Sequence, residues 1–146
     1  MAMEKYLYFR KATSAATEDD EVTGSTVYPL SSFRGICSGT ATSRGVVTDD
    51  ADAFSMFFTP KSMIGAGAAG DTDDAGADNV DVVVVAITTD NNQKAVIQDL
   101  LQKIQHMNDS KQEAFLTVFD GGAGGSAEKF NSDVEDITII HNSPAD

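Results

Sequence analysis

Residues 80–88 read VDVVVVAIT, with six consecutive apolar residues from 82 to 87. Valine and isoleucine crowd a helix but fit a pleated strand. The run barely alternates with polar residues, so it predicts a strand buried on both faces. It is the longest apolar run in the chain, and a membrane-spanning helix needs about 20 such residues. A different period follows. Asp90 stands where an N-cap belongs, and Gln93 three residues later gives a variant of the capping box. Val96, Ile97, Leu100, Leu101, Ile104 and Met107 then recur at helical spacing. Gln93, Lys94, Gln98, Asp99, Gln102 and Lys103 fill the opposite face. This pattern predicts an amphipathic helix of about four turns, ending at Asn108 and Asp109.

Shorter strands surround this unit. Residues 6–9 (YLYF) make an aromatic strand that must dock on its own sheet or on a neighbouring subunit. Residues 25–37 (STVYPLSSFRGIC) contain Pro29, which argues for an edge strand or extended piece, with a turn expected at Arg34-Gly35. Residues 40–47 suggest another short strand, closed by Asp49, Asp50 and Asp52. In residues 53–59, Phe54, Met56 and Phe58 alternate with Ser55, Phe57 and Thr59. Residues 113–120 and 136–141 are the last two strands expected. Val, Ile and Thr number 33 against five Leu, a balance that favours strands.

The expected fold is α+β: a mixed or antiparallel β-sheet with one long amphipathic helix packed on one face. The unit over residues 80–119 suggests a right-handed parallel crossover. One helix cannot cover both faces of a sheet, so a second sheet or another chain must cover the far face of the valine strand. The latter would mean self-association. The 146 residues form a single domain on this reading. Loops are expected near residues 13–24, 60–79 and 121–127, where acids, glycines and alanines cluster.

Ten Lys plus Arg face 23 Asp plus Glu, a net charge of −13. That field repels phosphate backbones, so no nucleic-acid partner is expected. No basic region leads an apolar stretch at the N-terminus, so no secretory signal is expected, nor any membrane partner. Seventeen of the acids are Asp, which favours turns and caps over helix faces.

Few constellations carry chemistry. The lone Cys37 excludes an intrachain disulfide and two-Cys zinc patterns. Its plain reading is a small residue packed in a strand or turn. His106 and His141 have no metal-ligand spacing, and nothing brings either to Cys37 as a base. Asp71, Asp73 and Asp74 with Gly76 resemble the opening of a calcium loop. Ala75 and Val82 then occupy positions that need ligands. The glycines at 121, 122, 124 and 125 lack the Lys and Ser/Thr ending of a phosphate loop. No nucleophile, base and orienter assemble, so neither catalytic nor metal nor cofactor residues are expected, and the chain is read as non-enzymatic. Arg10, Lys11, Arg34 and Arg44 instead lie among Tyr6, Tyr8, Phe9, Tyr28 and Phe33, residue types favoured at interface hot spots. The plain alternative is ordinary strand residues with charged heads in water.

The opening EKYLYFRK, the later YPLSSFRGI, the strand VDVVVVAIT and the helix NQKAVIQDLLQKI together resemble small structural proteins of marine tailed bacteriophages. The resemblance covers most of the chain in layout. It implies a virion component made in the host cytoplasm, such as a decoration protein bound to the capsid surface. The partner would be a capsid or other virion protein, met through Tyr6, Tyr8, Phe9, Arg10, Lys11, Tyr28, Phe33 and Arg34. A tail or neck accessory protein is a variant of this reading. The rival is a small acidic binding module, calcium-dependent through residues 71–81.

Overall fold

The structure, a computed structural model, describes residues 4–11, 25–41, 46–60, 80–111, 114–121 and 128–140. Of the loops expected near 13–24, 60–79 and 121–127, all but Pro60 and Gly121 lie outside these residues, as does His141. In chain order the elements are β1 (Tyr6–Arg10), β2 (Ser25–Pro29), β3 (Phe33–Ser38), β4 (Thr40–Ala41), β5 (Val47–Thr48), β6 (Ala53–Phe58) and β7 (Asp81–Ile87). Then come α1 (Gln93–Asp109), β8 (Phe115–Asp120), β9 (Glu128–Lys129) and β10 (Val134–Ile140).

The fold is α+β, with two four-stranded sheets and a single α-helix among the described residues. The first sheet runs β2-β1-β8-β9 and is mixed, because β1 pairs antiparallel with β2 but parallel with β8. The second runs β10-β7-β6-β3 and is wholly antiparallel. β4 and β5 form a short separate ribbon. Because β7 and β8 lie in different sheets, α1 carries the chain from one sheet to the other. The expected parallel crossover within one sheet does not form.

One apolar cluster joins both sheets and the helix. Leu7, Phe9 and Tyr28 from the first sheet meet Phe54, Met56, Phe58, Val83, Val85 and Ile87 from the second, with Val96, Leu100, Ile104 and Met107 of α1. Each such side chain, fully buried, contributes about 1.5–3 kcal/mol. Phe58 stacks on Tyr28 at 4.2 Å between ring centroids and meets Phe9 edge-on at 5.7 Å. The opposite face of β7 presents Val82 and Val84 to Ala41 and Ala53 in a smaller cluster. There the buried Ser55 hydroxyl donates to the Gly39 carbonyl and accepts from the Ala41 amide. The valine strand is thus covered on both faces within the chain, and its burial does not argue for self-association.

Local chemistry places the ends of α1. Its N-cap is Asn92, not Asp90, and no side chain caps the first turn. Asp133, in the turn before β10, instead ties down the residues just ahead of the helix. It accepts from the Asn92 side-chain Nδ2 at 2.9 Å and from the Thr89 hydroxyl and backbone amide at 2.8 and 3.2 Å. At the other end the buried Lys5 ammonium donates to the Ser110 carbonyl at 2.6 Å, a cation where the helix dipole favours one.

Four further expectations are corrected. The turn after β2 is a 3-10 turn at Leu30–Ser32, and Gly35 instead takes φ +144° in a bulge of β3. The single strand expected over 40–47 is split between β4 and β5. Cys37 is exposed on β3, not packed. The final strand begins at Val134, ahead of the expected 136, and β9 precedes it.

Candidate protein-interaction face

Residues of β1 alternate across the first sheet. Leu7 and Phe9 enter the core, while Tyr6, Tyr8 and Arg10 face outward. Register then sets three rows across β2, β1 and β8. Pro29, Tyr6 and Phe115 form the first, Val27, Tyr8 and Thr117 the second, and Ser25, Arg10 and Asp120 the third. Tyr6 is 39% exposed and Phe115 is 54% exposed. The Tyr8 and Phe115 rings lie 5.5 Å apart, binding adjacent rows together. An antiparallel or mixed sheet with one wet face normally sets polar residues outward. Here five of the nine outward positions on these three strands are apolar, and β9 adds the exposed Glu128 beside Asp120, in a chain of net charge −13. The one carboxylate among the nine, Asp120, is ion-paired with Arg10 at 3.7 Å.

The residues expected at an interface separate into three groups. Tyr6, Tyr8 and Arg10 share this face, and Lys11 is exposed at its charged end. Phe33 and Arg34 lie on β3 in the other sheet; Phe33 is half-buried against Phe58 at 5.6 Å, and Arg34 is exposed. Phe9 and Tyr28 have no exposed surface, so they offer no atoms to a partner. Tyr28 faces inward because residues in a strand alternate, and its hydroxyl donates to the buried Asp81 at 2.7 Å. Arg44 lies outside the described residues. Phe115 and Asp120 were not singled out from the sequence. The outward phase of β8 was legible there, but its pairing with β1 was not.

A second feature is polar. A cleft of about 450 Å3 opens between Ser38-Gly39, Asp49-Ala51 and the start of α1 at Asn91 and Gln93. Asp50 accepts from the Thr40 hydroxyl and from the Asp52 amide. A hydrogen bond shared with Asp52, then the one from Thr40, holds Asp50 below the usual carboxylate range, while the same contact with Asp50 pushes Asp52 up. Among the described residues lining the cleft, Ser38 has no histidine beside it. His106 is exposed on α1. No group of three or more His, Cys, Asp or Glu able to hold a metal occurs among the described residues. Residues 71–79 of the calcium-loop resemblance lie outside them. Asp81, at the end of that stretch, is buried against Tyr28. No described helix is long and apolar enough to cross a membrane.

The geometry defines an α+β protein of two sheets that turns an aromatic sheet face to solvent. Comparison with known proteins adds no relative: no family model, no curated protein and no solved structure matches the chain.

Proposed function

We propose that this chain is a non-enzymatic structural protein of a phage particle, acting as a decoration protein on the capsid surface. The observation that carries the reading is the outward aromatic face of Tyr6, Tyr8 and Phe115 on a rigid sheet. Rigid aromatic side chains give large contact area at low cost in conformational entropy. In this role the face meets another protein of the particle, and the acidic remainder of the surface keeps the particle soluble. Repetition over a symmetric shell converts a weak single contact into high occupancy. The resemblance in sequence layout to phage structural proteins supports the same reading.

Sedimentation of the native extract tests it. The chain should pellet with particles of virion size and survive a salt wash. Recovery entirely in the slow fraction would remove the reading.

A further inference from the structure

We draw no further inference here: the strongest candidate, the polar cleft at Asp49, Asp50 and the start of α1, rests on a cluster of exposed acidic side chains, and no second observation among the described residues points to a ligand for it.

Discussion

The Tyr28 hydroxyl donates to Oδ2 of Asp81 across 2.7 Å, joining an edge strand of one sheet to a central strand of the other. Burial, then the hydrogen bond to Asp81, pushes the phenol far above its ordinary range near 10. Tyr28→Phe keeps the stack on Phe58 but takes one donor from a buried carboxylate, a loss of about 1–3 kcal/mol. Tyr28→Ala also opens a cavity and should cost about 3–5 kcal/mol. Urea unfolding of the two variants measures both, and equal losses would contradict the packing role of the ring.

The same pair sets an alkaline limit. The folded-state phenol titrates above its unfolded value, so its contribution is fully present below about pH 10 and is lost as pH rises further. Melting temperature should fall above that point in the wild type. The fall should be shallower in Tyr28→Phe, which has no phenol to ionise there.

Asp133 works in the opposite direction. The Asn92 side chain, then Thr89, hold its carboxyl below the usual range. Its contribution is present above the ordinary aspartate value near 4 and is lost as pH falls through the lowered one. Asp133→Ala should lower the melting temperature at pH 7 by several degrees and flatten the acid limb of the stability profile. A variant with the wild-type acid limb would show that the helix start is held by something else.

Two glycines of the second sheet's edge should respond unequally to alanine. Both have positive φ, +144° at Gly35 and +100° at Gly39. A Cβ at Gly35 meets open space, whereas one at Gly39 runs into the Thr48 carbonyl oxygen. Gly35→Ala should cost about 1 kcal/mol from backbone strain alone, and Gly39→Ala more than about 2 kcal/mol. Thermal unfolding of the pair gives the order directly.

Chelation separates the structural reading from a calcium-dependent module. A ligand of the native state raises its stability by mass action. The melting temperature should be the same in calcium and in excess chelator. A drop on chelation would favour the module.

Much of the architecture was legible because it depends on period. The valine strand, the alternation in β6 and the apolar stripe of α1 each have one phase that buries them. Val96, Leu100, Ile104 and Met107 occupy the core as their spacing requires. Pairing was not legible, since it depends on contacts between distant residues. Nothing near Tyr6 announces Phe115 as its neighbour, so the outward face could be only half assembled. Tyr28 and Phe9 are the instructive pair. Aromatic residues beside arginines look like an interface, but strand alternation sends alternate residues inward. The helix start was misplaced for a related reason. Its anchor is Asp133, 41 residues from Asn92 along the chain.

The parallel pairing of β1 with β8 also bears on how the molecule is made. Tyr6 finds its partner at Phe115, so β1 must wait until β8 has been made before this edge of its sheet can close. Contacts this distant in sequence slow folding. Until then YLYFR is an apolar strand with a vacant edge, liable to pair with other nascent chains. β1 is thus a segment through which crowding during rapid synthesis would divert the chain into aggregates.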